Sequence, residues 1–288
     1  MSYTLGVLGG SGLYEMDGLR DVTEIEVDTP FGKPSDVLVK GTLVEGSTRT
    51  TLLFLPRHGR GHKVPPHQIN YRANVCALKT SGATHLVSVS AVGSMKEEIE
   101  PGQLVVPDQF IDLTKRRITT FFEDGVAGHV PFADPVCALV AKALGDAGEK
   151  TGARVHRGGT YVCMEGPQFS TRAESRLYRS WGVSVIGMTS MPEAKLAREA
   201  ELPFATLALA TDYDCWHDAH DDVTVEAVVA TMKKNVVLAK QALAHLAGAL
   251  PDPTKSIAHG AARGAVMTHP ASISHAARER LGWLLHET

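Results

Sequence analysis

The stretch THLVSVSAVGS, residues 84–94, decides the fold, because it is one of six short runs rich in Val, Leu and Ile that end in small or polar residues. The other five are YTLGVLGG (3–10), TLLFLPRHG (51–59), GQLVVPDQFI (102–111), VSVIGMTSMPE (183–193) and PFATLALATDYD (203–214). Such runs are typical of strands that are buried on both faces. The sequence therefore predicts an α/β fold.

Helix signals alternate with these runs. Thr171 with Glu174, and Ser190 with Glu193, have the spacing of a capping box, which starts a helix, and Gly182 is placed to end the first of the two. Apolar residues recur at helical spacing over residues 223–250, which predicts a long amphipathic helix.

The chain shows no internal repeat and no linker long enough to separate two domains. The stretch PDPTK (251–255) interrupts the helical pattern near the C-terminus. We therefore predict one domain over residues 1–250 and a C-terminal extension over residues 251–288. The extension is expected to be helical over residues 274–285 and to pack on the same domain.

Composition excludes several classes of protein. A net charge of −3 over 288 residues supplies no basic field for nucleic acid. The N-terminus lacks the basic region of a signal peptide, and no apolar run is long enough to span a membrane, so we expect a cytoplasmic protein. The 4 cysteines show no CxxC spacing, which argues against a zinc site.

Polar side chains follow four of the predicted strands, where ligands bind in open α/β sheets. All of them can donate hydrogen bonds to an anion: Ser11, Arg57, His58, Ser90 and Thr189. Each residue alone also has a structural interpretation, such as a helix cap, a surface ion pair or a core histidine. The glycine-rich turn at residues 6–12 matches neither the triphosphate-binding loop nor the dinucleotide-binding loop. Together these residues predict a site for free inorganic phosphate.

Two carboxylates, Asp212 and Asp214, follow the last run. A spacing of two along an extended chain directs both side chains to one face. The pair could hold a magnesium ion, share a proton in acid–base chemistry, or bind a polar heterocycle. A solvated acidic turn is the structural alternative.

The chain resembles the trimeric purine nucleoside phosphorylases from about Leu5 to about Leu246. The resemblance rests on eight motifs in this order: GVLGGSGLY, PRHGRGH, INYRANV, GSMKEEIEPG, DQFIDLT, EGPQFSTRAES, GMTSMPEAKLA and ATDYDCW. It implies the single-domain nucleoside phosphorylase fold, a twisted mixed sheet flanked by helices. It also implies a phosphate site made by the five strand-end residues named above.

The resemblance also implies a nucleoside site. The ribose would lie against Ala91 and Met188, the base would stack on Phe169, and Ser170, Asp212 and Asp214 would face the purine edge. Val225 and Val228 would form an apolar pocket for the 5′ end, and His129 would enter a neighbouring subunit's site. The expected assembly is therefore a homotrimer or a dimer of trimers.

The implied reaction is phosphate-dependent cleavage of 5′-methylthioadenosine to adenine and 5-methylthioribose 1-phosphate. Asp212, Asp214 and His58 would act in catalysis, without a metal or an organic cofactor, because phosphate itself is the nucleophile. Three alternatives remain open at this point. They are a phosphorylase for adenosine or 6-oxopurine nucleosides, a nucleoside- or phosphate-binding module without turnover, and a hydrolase that uses water.

Overall fold

The structure is a computed structural model that describes residues 3–10, 12–217 and 225–285, except for the side chains of residues 225–230. The described residues form eleven strands: β1 (Thr4–Gly9), β2 (Arg20–Ile25), β3 (Leu38–Glu45), β4 (Thr48–Pro56), β5 (His85–Ser94), β6 (Leu104–Val106), β7 (Gln109–Asp112), β8 (Val155–Arg157), β9 (Thr160–Cys163), β10 (Val185–Gly187) and β11 (Phe204–Asp212). They also form six helices: α1 (Tyr71–Thr80), α2 (Ala138–Glu149), α3 (Arg172–Ser180), α4 (Ser190–Glu199), α5 (Val225–Ala247) and α6 (His275–Leu281).

The strands form one mixed sheet with β5 at its centre. Parallel pairing joins β4 to β1, β1 to β5, and β5 to β11, so the carboxyl ends of these four strands lie at one edge. The predicted α/β fold with a mixed sheet is therefore confirmed.

Strand β5 changes its partner along its length. Its first half pairs with β1, from His85 to Ser88, whereas its last two residues, Gly93 and Ser94, pair antiparallel with β10. The other side of β5 pairs with β11 throughout. Between Ser88 and Gly93 the sheet is therefore open on one side, which is the geometry of a topological switch point where ligands bind.

Helices cover both faces of the sheet. Alternate residues of β4 divide between the faces, with Leu52 and Phe54 in one core cluster and Leu53 and Leu55 in the other. Helices α2 and α5 cover the first of these clusters, and α1 and α4 cover the second. This alternation explains why the runs contain apolar residues at consecutive positions. Within the described ranges, none of the helices combines the length and the apolarity that crossing a membrane requires.

The C-terminal segment lies against the second cluster. Leu281 and Leu284 are buried there, and Trp283 makes an edge contact with Phe121 at a ring distance of 5.0 Å. The helix in this segment, α6, ends at Leu281, four residues before the predicted end at position 285.

The capping signals have different outcomes. Thr171 and Glu174 form the predicted capping box, and α3 ends just before Gly182, which has a φ of +74°. The second capping box is wrong: α4 begins at Ser190 after Thr189, without a side-chain cap. Glu193 pairs with Arg57 instead.

Candidate functional site

Arg57, directly after β4, is buried, with 2% of its surface exposed. Its Nε and Nη2 donate to the two oxygens of Glu193 at 2.6 and 3.1 Å. Nη2 also donates to Ser88 Oγ and Leu8 O, and Nη1 donates to Val89 O at 2.7 Å. The guanidinium edge expected to bind phosphate is therefore bonded to Glu193. These contacts leave one Nη1 hydrogen that can donate to an anion.

His58 lies beside Arg57 and is neutral. Its Nδ1 lies 2.8 Å from Val64 O, and because a carbonyl only accepts, the proton is on Nδ1. Burial lowers the pKa of His58 to about 4, and the neighbouring Arg57 cation adds to this effect. The ring stacks on His62 at 4.2 Å. Nε2 of His58 therefore carries a lone pair and accepts hydrogen bonds.

Ser90 and Thr189 are brought together, but not as the ends of parallel strands: Ser90 lies within β5, four residues before its end, and β10, which leads to Thr189, runs antiparallel to β5. Their hydroxyl oxygens are 3.2 Å apart, and Ser90 Oγ lies 3.3 Å from Tyr161 Oη. Thr189 occupies the N-cap position of α4, but its side chain makes no capping bond. The Thr189 hydroxyl therefore contacts Ser90 and takes no part in a helix cap. The N-terminus of α4 adds a favourable potential for an anion.

Tyr161 is a member of this hydroxyl cluster that sequence reasoning missed. It lies on β9, and burial raises the pKa of its phenol to about 12, so the hydroxyl keeps its proton. Position 187 is a glycine, and a Cβ at this position would collide with the Tyr161 hydroxyl. A glycine that ends a strand is the signal that could have indicated this close approach.

Arg117 is a second residue that the sequence did not single out. Its guanidinium donates to Tyr71 Oη at 2.9 Å, to Glu165 O at 2.6 Å and to Met188 O. It thereby joins α1 to the segments around Met164 and Met188. These segments carry the residues expected to face the nucleoside.

The next residues are those expected to contact the nucleoside. Ala91 is half-buried on β5, and its carbonyl accepts from Ser90 Oγ at 3.2 Å. Phe169 is 49% exposed, which leaves its ring free to stack. Ser170 Oγ lies 3.7 Å from Met164 Sδ, and Ser170 O lies 3.4 Å from Cys215 Sγ.

Asp212 and Asp214 lie at the carboxyl end of β11. Asp212 Oδ1 accepts from the Asp214 backbone N–H at 2.8 Å, and Asp212 Oδ2 contacts Thr211 Oγ1 at 2.6 Å. Burial raises the pKa of Asp212, and these two hydrogen bonds offset part of that rise. The carboxylates can lie this close to β5 because Gly93 faces them: its Cβ would be 2.9 Å from Asp212 Oδ1.

Asp214 is the more constrained carboxylate of the pair. Its φ is +52°, and it is buried. Burial raises its pKa, the nearby Ser175 hydroxyl partly offsets the rise, and the negative charge of Asp212 adds to it. Among the described residues, neither Asp214 Oδ2 nor Ser175 Oγ has a hydrogen-bond partner of good geometry. The solvated acidic turn is therefore wrong, and the pair suits a proton donor beside an acceptor.

Three predicted residues cannot be assigned to this cluster, and a fourth, His129, is not among its contacts. Ser11 lies outside the described residues, as do the side chains of Val225 and Val228 at the start of α5. His129 is exposed, and its backbone N–H donates to Ala265 O in the C-terminal segment.

Two other kinds of candidate site are metal sites and surface clefts. In the described part of the chain, no group of three or more His, Cys, Asp or Glu residues could hold a metal ion. Two surface clefts of about 600 and 560 Å³ are lined by other residues, the first by residues 108–109, by residues between 134 and 141 and by 255–257, and the second mainly by residues between 262 and 285. Neither cleft is lined by a strand-end residue.

Comparison with known proteins gives concordant matches. The profile of the Phosphorylase superfamily matches residues 4–247. The S-methyl-5′-thioadenosine phosphorylase of Geobacter sulfurreducens is 55% identical over 99% of both chains. The enzyme of the same name from Synechocystis is 51% identical and covers 98% of this chain and 86% of its own.

Solved structures match as well. A methylthioadenosine phosphorylase from an Antarctic soil metagenomic library has a TM-score of 0.92 and 45% identity over 99% of both chains. The methylthioadenosine phosphorylase of Schistosoma mansoni, in complex with adenine, has a TM-score of 0.85 and 35% identity, covering 92% of this chain and 99% of its own.

Proposed function

The chain belongs to the Phosphorylase superfamily, and from this premise we propose that it cleaves 5′-methylthioadenosine with phosphate, releasing adenine and 5-methylthioribose 1-phosphate. The observation that carries the proposal is the position of two unlike sites along β5. Ser90 and its hydroxyl partners lie at one point of the strand, and Gly93, which faces both aspartates, lies three residues further on. Three residues of strand span roughly 10 Å, which suits a nucleoside between phosphate and base contacts.

The phosphate end supplies hydrogen bonds to the nucleophile. Hydroxyls of Ser90 and Thr189, the N-terminus of α4 and the remaining Arg57 hydrogen all favour an anion. Ser11 is assigned here from the resemblance alone. The neutral His58 accepts from the hydroxyl of hydrogenphosphate, so it orients the nucleophile without adding charge.

The base end stabilises the leaving group. As a phosphate oxygen attacks C1′, the bond from C1′ to N9 breaks and its electron pair moves into the adenine ring, through an oxocarbenium-like transition state. Asp212 gives its proton to N7, which neutralises the departing base. Asp214 and Ser170 accept from and orient the exocyclic amino group. A 6-oxopurine would present an oxygen to these acceptors, so the pair favours a 6-aminopurine.

The ribose and the 5′ substituent complete the proposed site. Ala91 and Met188 would contact the ribose, Phe169 would stack on the base, and Val225 and Val228 would enclose the methylthio group. We infer a homotrimer or a dimer of trimers, in which the exposed His129 reaches a neighbouring subunit's site. Phosphate is a co-substrate, and neither a metal nor an organic cofactor takes part. We place the enzyme in the cytoplasm, in purine and methionine salvage.

Adenosine is the second candidate substrate. A solved Schistosoma mansoni relative is named adenosine/methylthioadenosine phosphorylase, with 35% identity and a TM-score of 0.86. The two nucleosides share the base that the aspartates would bind. They differ only at the 5′ end.

Base release from 5′-methylthioadenosine, adenosine and inosine, each with and without phosphate, tests the proposal. We expect phosphate-dependent adenine release, fastest with the methylthio compound, with the sugar 1-phosphate visible by phosphorus NMR. Release without phosphate would indicate a hydrolase, and reaction of inosine alone would refute the assignment of Asp212 and Asp214. Nucleoside binding without turnover would indicate a binding module.

A further inference from the structure

Thr211 immediately precedes the aspartate pair, and its position in β11 is irregular. Ala210 pairs with Val92 of β5 and Asp212 pairs with Gly93, so Thr211 is the extra residue of a β-bulge. Its side chain is buried. Bulges redirect the side chains beside them, and this one turns the Asp212 carboxylate towards Gly93.

The Thr211 hydroxyl has two neighbours and one hydrogen. Oγ1 lies 2.6 Å from Asp212 Oδ2 and 3.2 Å from Val92 O. Both distances allow a hydrogen bond, but the hydroxyl can donate only one of them. The Val92 carbonyl can only accept. When Thr211 donates to Val92 O, the short contact with Asp212 therefore requires a proton on the carboxyl group.

We propose that Thr211 is a positioning residue whose hydroxyl turns between Val92 O and Asp212 Oδ2 as Asp212 gains and loses its proton. While Asp212 is protonated and no base is bound, its O–H donates to Thr211, and Thr211 donates to Val92 O. When the base binds, the Asp212 O–H turns from Thr211 to N7, and Thr211 keeps its bond to Val92 O. When the proton moves from Oδ2 to N7 of the leaving base, the electron pair of the O–H bond stays on Oδ2. The Thr211 hydrogen then turns to that oxygen. This inference rests on the proposed function, in which Asp212 is the proton donor.

The surroundings of Asp212 leave Thr211 as the adjustable contact. The Asp214 backbone N–H holds Oδ1 in both states. The β5 residue that faces the carboxylate is Gly93, and the neighbouring β10 residue Ile186 carries no charge. The charged neighbour is Asp214, which in turn interacts with Tyr178 and Cys215.

The pH dependence of single-turnover adenine release in Thr211→Val and Thr211→Ser tests this mechanism. Asp212 donates only when protonated, so the rate falls as pH rises through the pKa of Asp212. A hydrogen bond to a carboxylate lowers its pKa by about one unit, so in Thr211→Val the falling limb moves up by about one pH unit. In Thr211→Val the maximal rate also falls about tenfold. Thr211→Ser keeps both the pH profile and the maximal rate of the wild type.

Several results would overturn the proposal. One is a Thr211→Val enzyme that loses rate equally at every pH, which would indicate a structural role. Another is a profile identical to that of the wild type. Thr211→Ala serves as a second variant that cannot clash, and failure of both variants to fold would also assign Thr211 a structural role. If the wild type itself releases no adenine, the proposed function fails before this inference is tested.

Discussion

Two buried pairs of ionisable side chains lie at opposite ends of the candidate site, and they offset the cost of burial in different ways. Arg57 and Glu193 are 2% and 1% exposed and form an ion pair with two hydrogen bonds. Asp212 and Asp214 carry the same charge, and burial raises the pKa of both. In the first pair the two charges compensate each other, whereas in the second pair the raised pKa values favour the protonated carboxyl group.

The two pairs therefore suit different roles, one structural and one chemical. An ion pair with well-oriented hydrogen bonds holds its geometry over a wide pH range, which suits the fixed end of a site. A like-charged pair changes its proton content near its raised pKa, which suits a group that must give up a proton. We therefore expect changes at Arg57 and Glu193 to reduce stability, and changes at Asp212 and Asp214 to alter activity and pH dependence.

The largest effect is expected from Glu193→Gln. The substitution leaves the Arg57 cation buried without a compensating charge, which costs about 3 kcal/mol of unfolding free energy. Urea unfolding measures it. Asp146→Asn is the matched control, because Asp146 pairs with Lys142 and Arg157 on the surface, where ion pairs contribute little to stability. Equal losses would mean that the buried pair does not stabilise the site.

Asp212→Asn should mainly affect turnover. The amide has the same shape but cannot give a proton to N7, so kcat for adenine release should fall about 100-fold or more. The KM for phosphate should change little, because the proposed phosphate contacts lie earlier along β5, around Ser90. An unchanged kcat, measured beside the Asp146→Asn control, would rule out Asp212 as the proton donor.

Gly93→Ala tests the geometry of the like-charged pair. The added Cβ would lie 2.9 Å from Asp212 Oδ1 and 3.3 Å from Asp214 Cβ. Both carboxylates would have to shift, and misplacement of a catalytic group on this scale costs about tenfold in kcat. Steady-state kinetics should show this loss with little change in phosphate KM. A loss confined to phosphate KM would contradict the placement of the pair at the base end.

The smallest effect is expected in the pH dependence of stability. Because the pKa of Asp214 is raised in the folded chain, the folded state binds this proton more tightly than the unfolded state. Its contribution to stability is therefore lost as pH rises above the usual aspartate range. Asp214→Asn should therefore lose less unfolding free energy than the wild type between pH 5 and pH 8, as measured by urea unfolding. A variant with the same pH dependence as the wild type would show that the pKa of Asp214 is not raised in the folded state.

Much of the site follows from local sequence patterns. Arg57 and Asp212 lie at the ends of apolar runs that form strands of one orientation, and such strands bring their carboxyl ends to one edge of the sheet. The shared location of Asp212 and Asp214 is expected from their spacing, but a turn after β11 produces it rather than an extended chain, because Asp214 has a φ of +52° and its backbone N–H donates to Asp212 Oδ1. These features depend on a few neighbouring residues, so periodicity is sufficient to indicate them.

The remaining features depend on partners that are distant in the chain. Arg57 and Glu193 are separated by 136 positions, and Ser90 and Tyr161 by 71. No local pattern distinguishes an arginine that binds phosphate from one that binds a buried glutamate. The same applies to Arg117, whose role depends on three segments of the fold. The bulge at Thr211 also depends on the register against β5.

The change of partner along β5 has a consequence for how such a site can evolve. Of the residues proposed to bind phosphate, Arg57 and His58 follow β4, whereas Thr189 follows β10, and the aspartates proposed to bind the base lie at the end of β11. The change of partner along β5 leaves a gap between β1 and β10, where residues from several strands can meet one ligand. Substitutions at the end of β11 can alter which purine is accepted while the residues proposed for phosphate, on other strands, are retained. This division among strands lets one chemical reaction be inherited unchanged while its range of nucleosides diverges.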